Sequence, residues 1–146
     1  MQVVCTRSTV TLRVHSSPLR GVLTYAPFRN PPPPPPPSGT SAWNSTVVGH
    51  KRWVLFHPDT PGDWIQLPAA DPRAESLGAA GWFAFVYPRI KEESTGPQWK
   101  EEWKPVECLQ CPGETVVVPS GWWHVVLNLD LTVAVTQNFA GRSKSP

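Results

Sequence analysis

Residues 106–140 decide the fold, and they read VECLQCPGETVVVPSGWWHVVLNLDLTVAVTQNFA. Three runs in this stretch are rich in β-branched residues, alternate with a period of two and are bounded by turn residues: Thr115–Val118, His124–Leu129 and Thr132–Thr136. Such enrichment, alternation and bounding turns are typical of strands. We therefore predict three strands joined by two tight turns, with His124 at the start of the second. A side chain there lies near a sheet end, where functional sites are often built.

The residues upstream predict further strands and short helical segments. Ser41–Val48 and Lys51–Phe56 flank a turn at Gly49, and this pattern predicts a hairpin. Pro58–Gly81 is rich in Pro and Gly and predicts mostly loop. Trp82–Tyr87 is apolar throughout, so periodicity alone does not separate a short helix from a buried strand.

Several motifs in this region resemble, in order and spacing, the JmjC domain family. They are GTSAWN at 39–44, GHKRW at 49–53, PGET at 112–115, PSGWWH at 119–124 and TQNF at 136–139. The resemblance is to the bifunctional arginine demethylase and lysyl-hydroxylase subgroup, once called phosphatidylserine-receptor-like, and to plant F-box proteins with this domain. It implies a mainly all-β fold, a partial double-stranded β-helix of the cupin or jelly-roll type, with one or two short helices. It also implies Fe(II) and 2-oxoglutarate as cofactors.

The resemblance implies roles for five residues. The family holds iron with two His and one carboxylate, which leaves positions open for substrate and O₂, and His124 matches the second His. Lys51, Thr136 and Asn44, with Asn138 nearby, match residues that bind the distal carboxylate of 2-oxoglutarate. We assign no further catalytic side chain. Outside these motifs, a strand-end His and a hairpin Lys are more often structural residues.

The other two iron ligands are missing at the family positions. In the family they form a His-x-Asp just before GTSAWN, and that register falls on Pro34 and Pro36. Proline offers no donor atom to a metal, and the tract Pro31–Pro37 cannot join a central strand ladder. The chain therefore reads as the C-terminal part of a JmjC domain without its iron site. Three hypotheses stay open: an oxygenase acting on protein side chains by hydroxylation or demethylation, a catalytically inactive binding module or adaptor, and a product in which the proline tract replaces the metal-binding strand.

Composition separates a leader from the domain. No Asp or Glu precedes Asp59, and all eight Trp follow residue 41. We predict a disordered leader at 1–37, the JmjC part at 38–141 and a tail at 142–146. The polyproline tract is a stiff spacer or a ligand for an SH3- or WW-type partner, and the Arg-containing, acid-free leader also fits an organelle-targeting peptide. By family the chain is expected to be nuclear or cytoplasmic.

Charge and hydropathy exclude other classes. From Ser41 onward there are nine basic and eleven acidic residues, so the domain carries no positive excess that indicates nucleic-acid binding. No apolar run approaches the length of a membrane span. Three cysteines do not make a disulfide framework.

Overall fold

The computed structural model describes residues 6–7, 40–68, 70–74 and 77–140, which form two antiparallel sheets and a few short helices. Sheet A has the strand order β1-β5-β2-β7, and sheet B has the order β4-β3-β6. The strands are β1 (Thr6–Arg7), β2 (Thr40–Val48), β3 (Lys51–Phe56), β4 (Val106–Gln110), β5 (Glu114–Val118), β6 (Trp123–Asn128) and β7 (Val133–Ala140). The expected fold, mainly β and of the cupin type, is confirmed.

Strands β2 and β3 do not pair with each other, so the predicted hairpin is wrong although both strand bounds are nearly right. β2 pairs with β5 and β7, whereas β3 pairs with β4 and β6. Gly49 turns the chain from one sheet to the other at a φ of 82°. A two-residue hairpin and a crossing between facing sheets share the same turn chemistry and the same period of two, so the sequence pattern does not separate them.

The three predicted C-terminal strands are confirmed, and they too change sheet at every turn. β5 lies in sheet A, β6 in sheet B and β7 in sheet A again. β7 runs to Ala140, four residues beyond its predicted end at Thr136. Each sheet is therefore assembled from strands that are distant in sequence, as in a jelly roll.

Alternation along β3 divides the apolar side chains between two cores. Trp53 and Leu55 face sheet A and form the interior core with Val116 and Val118. The remaining apolar side chains of β3 face outward, onto the helices, and form a second core whose buried members are Val54, Phe56, Ile65, Trp82, Val86, Tyr87, Ile90, Trp99 and Val125. Sheet B is thus buried on both faces, and its inner face points into the space between the sheets.

The helical elements pack on the outer face of sheet B. They are α1 (Gly62–Ile65), α2 (Ala79–Gly81), a π-helical turn (Trp82–Val86), α3 (Tyr87–Glu93) and a 3₁₀ turn (Glu101–Trp103). Pro88 lies in the first turn of α3. Because the π-helical turn runs directly into α3, Pro88 lies within a continuous helical segment, where its missing N–H removes one backbone hydrogen bond and is a recognised cause of a kink. None of the helices in the described ranges is long and apolar enough to cross a lipid bilayer.

The leader touches the domain at one described point. Thr6 and Arg7 pair with Thr115 and Glu114 at one end of β5. The rest of the predicted leader, including the proline tract at 31–37, and the predicted tail at 142–146 lie outside the described residues, so those domain boundaries stay predictions.

Candidate functional site

All five predicted site residues point into the space between the two sheets. Directly opposed residues of antiparallel strands share a face, and the register opposes Asn44 to both Val116 and Thr136, and Ala42 to Asn138. Lys51 alternates with the core residues Trp53 and Leu55, and His124 is opposed to Leu55. Three of these side chains therefore lie on the inner face of sheet A, and Lys51 and His124 lie on the inner face of sheet B opposite them.

Lys51 is a buried cation. Its exposed fraction is 2%, and its ammonium donates a hydrogen bond to Asn128 Oδ1 at 2.8 Å. Burial lowers the pKa of Lys51. No carboxylate among the described residues forms an ion pair with it. Burying a charge is costly unless a counter-charge compensates it, so this position would be stabilised by an anion.

Gln110 lies opposite this cation and is hydrogen-bonded to the backbone of Asn44 in sheet A. Gln110 is fully buried. Its side-chain oxygen accepts a hydrogen bond from Trp53 Nε1 at 2.8 Å. Its side-chain nitrogen donates to the carbonyl oxygens of Asn44, at 2.8 Å, and Glu114, at 2.9 Å. The side-chain oxygen of Asn44 is buried and has no hydrogen-bond partner among the described residues. Buried polar groups are normally satisfied, so an orphaned one needs an explanation such as a ligand or water.

Thr136 and Asn138 lie on β7, at the open edge of sheet A. Both are exposed. Thr136 Oγ1 donates to the Trp43 carbonyl oxygen at 2.9 Å, which ties β7 to β2. The structure places Thr136 and Asn138 on the same face as Asn44. Thr136 and Lys51 share no hydrogen-bond partner, because Thr136 bonds to the Trp43 carbonyl oxygen and Lys51 to Asn128.

The surroundings of His124 favour its neutral imidazole form. Its Nδ1 lies 3.2 Å from the Trp122 carbonyl oxygen, and its ring centroid lies 6.2 Å from that of Trp53. Burial lowers the pKa of His124. Because a carbonyl can only accept, Nδ1 carries the proton and the Nε2 lone pair is left for another partner. This is the form in which histidine ligates metals.

The described residues do not fit an iron centre. No group of three His, Cys, Asp or Glu side chains able to hold a metal occurs in them, and Pro34 and Pro36 lie outside the described ranges. A His-x-Asp does occur at His57 and Asp59, but it follows β3 instead of preceding β2, so the family register does not predict it. Asp59 is 78% exposed and its carboxylate lies 3.6 Å from His57 itself. We therefore derive no step through iron.

Sequence reasoning missed Gln110 and Asn128. A glutamine at the end of a short strand and an asparagine before a turn both read as surface residues. Only the strand register places them opposite Lys51, one on each side of β3. The alternation of Lys51 with Trp53 and Leu55 was the available signal that this lysine and its neighbours face inward.

Comparison with known proteins establishes the family of this chain. The family model "JmjC domain, hydroxylase" matches residues 36–139. The chain belongs to the JmjC domain family. This confirms the resemblance carried by the GTSAWN, GHKRW and PSGWWH motifs.

Three relatives illustrate the range of similarity. The chain is 50% identical over 101 residues to the bifunctional arginine demethylase and lysyl-hydroxylase of Caenorhabditis briggsae, a match covering 69% of this chain and 24% of that protein. It is 41% identical over 107 residues to an arginine-specific demethylase of Arabidopsis thaliana, covering 73% and 20%. It is 32% identical over 112 residues to a 2-oxoglutarate and iron-dependent oxygenase of Mus musculus, covering 72% and 22%. The chain spans about a quarter or less of the length of these relatives.

Proposed function

We propose that this chain carries the 2-oxoglutarate-binding part of a JmjC oxygenase domain, with Lys51 as the cation for the distal carboxylate. The observation that carries the proposal is the burial of the Lys51 ammonium without a carboxylate partner among the described residues. A carboxylate would accept hydrogen bonds from this ammonium and offset its desolvation. In the family, 2-oxoglutarate supplies two electrons for oxygen activation and leaves as succinate and CO₂.

The neighbouring polar groups support a built site for this ligand. The side-chain oxygen of Asn44 is buried without a partner among the described residues, and the same amide group carries two N–H donors. Thr136 and Asn138 line the same face nearer the open edge. We assign Asn44, Thr136 and Asn138 as polar partners of the ligand, and His124 as the remnant of the metal site.

The proposed substrate class of the complete oxygenase is a protein side chain. The names of the relatives from Caenorhabditis briggsae and Arabidopsis thaliana give arginine demethylation and lysyl hydroxylation. Only one of the three family ligands for iron is present at its position, so we expect this chain to bind 2-oxoglutarate weakly and not to turn it over. The loss of even a residue that supports a metal ligand lowers metal affinity by roughly 10- to 100-fold.

Calorimetric titration of 2-oxoglutarate into the chain tests the assignment of Lys51. A charge-assisted hydrogen bond contributes about 1.5–3 kcal/mol, so Lys51→Met is expected to weaken binding by roughly 10- to 100-fold. The matched control is Lys104→Met, because Lys104 is surface-exposed and pairs with the exposed Glu101. The thermal transition of each variant shows whether it is folded. Unchanged affinity in a folded Lys51→Met chain would refute the proposal.

A further inference from the structure

Two sheet edges are open on the same side of the sandwich. β7 ends sheet A and β6 ends sheet B, and residues 129–132 join them directly. Within residues 40–68, 70–74 and 77–140, no strand pairs with the outer edge of either one. An unpaired edge presents a row of free N–H and C=O groups that can pair with a strand of another chain.

β7 lacks the charged residues and prolines by which many natural proteins protect an edge strand. Its eight residues, VAVTQNFA, include no charge, no proline and no glycine, and every side chain from Val135 to Phe139 is exposed. Two other strands, at the opposite sides of the sheets, differ from β7. β4 carries Glu107, which is engaged by Arg52 and Lys91, and β5 carries Glu114 and is partly covered by β1.

We infer that two copies of this chain pair antiparallel through their β7 strands about a twofold axis. Antiparallel pairing of a strand with its own copy is self-complementary and closes at two subunits. Because β7 carries no charge, no like charges are opposed across the axis, which would otherwise destabilise the pair. A second copy is therefore the occupant that this edge fits without any change of sequence.

The same twofold axis, taken perpendicular to the sheets, also brings the two β6 edges toward each other. Thr136 and Asn138 on β7 and Asn128 on β6 lie on these two strands. The second copy would therefore close the open side of the interior that contains Lys51. This inference rests on the strand order and the composition of β7, and it does not depend on binding of 2-oxoglutarate.

Sedimentation equilibrium of the full chain over low to high micromolar concentrations tests the dimer. The expected mass at high concentration is twice the 16.2 kDa of one chain. Val135→Lys places a lysine on the edge strand, the device by which natural edges avoid pairing, and is expected to raise the dissociation constant at least about tenfold. Gln137→Lys, a second exposed position on β7, is expected to do the same if Val135→Lys impairs folding.

Val117→Lys is the matched control. Val117 and Val135 have similar exposed fractions, 43% and 38%, and both lie on the outer face of sheet A, opposed to Trp43 and Ser45 respectively. Val117 lies on β5, away from the open edge, so its lysine variant is expected to dimerise normally. A monomer at every concentration, equal loss of dimer in Val117→Lys, or assembly that grows beyond two copies would each overturn the inference.

Discussion

Gln110 connects the two sheets through one side chain. Its amide accepts from Trp53 of sheet B and donates to the carbonyl oxygens of Asn44 and Glu114 of sheet A. All three bonds lie at or near the interior face that carries Lys51. A change at this residue therefore affects both the stability of the sandwich and the position of the candidate site.

Gln110→Leu is expected to lower the free energy of unfolding by about 2–4 kcal/mol, because it leaves buried polar groups without partners at about 1–3 kcal/mol each. Urea denaturation followed by tryptophan fluorescence measures the change. Gln98→Leu, at an exposed position, is the control and is expected to change stability by less than about 0.5 kcal/mol. A loss no larger than that of the control would show that Gln110 does not hold the sheets together.

His124 gives the stability a pH dependence of known sign. Burial lowers the pKa of His124 below its ordinary 6.5, so the unfolded chain binds the proton more tightly than the folded chain. The stabilisation is complete above the unfolded pKa and is lost as the pH falls toward the lowered folded pKa. We expect a lower free energy of unfolding at about pH 5.5 than at about pH 7.5, with a smaller difference in His124→Gln. His57→Gln is the control variant. If the free energy of unfolding of His124→Gln changed with pH as that of the parent chain does, the pH dependence would not come from His124.

The strands show what a sequence pattern predicts and what it does not. Alternation and turn residues predicted the bounds of β2, β3, β5 and β6 to within about two residues. The pairing of β2 with β3 was wrong, because a period of two fixes which side chains share a face and carries no information about which strand lies alongside. The order of the motifs supplied information about residues distant in sequence. The family resemblance assigned Asn44 and Thr136 to one ligand, and the structure places them opposite each other on neighbouring strands.

Gly49 makes the crossing between the sheets. A Cβ at this residue would overlap the carbonyl oxygen of Leu131 and would lie 2.6 Å from Asp130 Oδ1. His50 beside it binds Asp130 through its backbone N–H and through Nδ1, at 2.6 and 2.7 Å. The turn between β2 and β3 is therefore packed tightly against the turn between β6 and β7.

Gly49→Ala is expected to destabilise the chain more than Gly113→Ala. Both glycines have a φ near +80°, which costs a side-chain-bearing residue about 1–2 kcal/mol. A Cβ at Gly113 meets open space, whereas one at Gly49 meets Leu131 and Asp130, and overpacking adds about 1–3 kcal/mol. Thermal or urea denaturation of the two variants measures the difference. Equal losses would contradict the close packing of the two turns.

At the scale of the whole molecule, the described residues form a two-sheet sandwich with the candidate site in its interior. Its family, its mainly β architecture and the inward orientation of the five site residues were predictable, because long motifs and strand alternation determine them. The partners of Lys51 were not predictable, because they come from strands β4 and β6, far away in sequence. The position of the missing ligands at Pro34 and Pro36 remains a prediction from the sequence.

Succinate formation by the purified chain with Fe(II), ascorbate, O₂ and 2-oxoglutarate is the most direct test of the account, with the 2-oxoglutarate and iron-dependent oxygenase of Mus musculus as positive control. We predict no succinate above a protein-free blank, and the same result for His124→Ala, because one imidazole does not hold iron in the facial arrangement that the chemistry needs. Clear turnover by the parent chain that is lost in His124→Ala would contradict the account. In that case, loss of turnover in His57→Ala as well would identify the His57-x-Asp59 segment as the source of the other ligands.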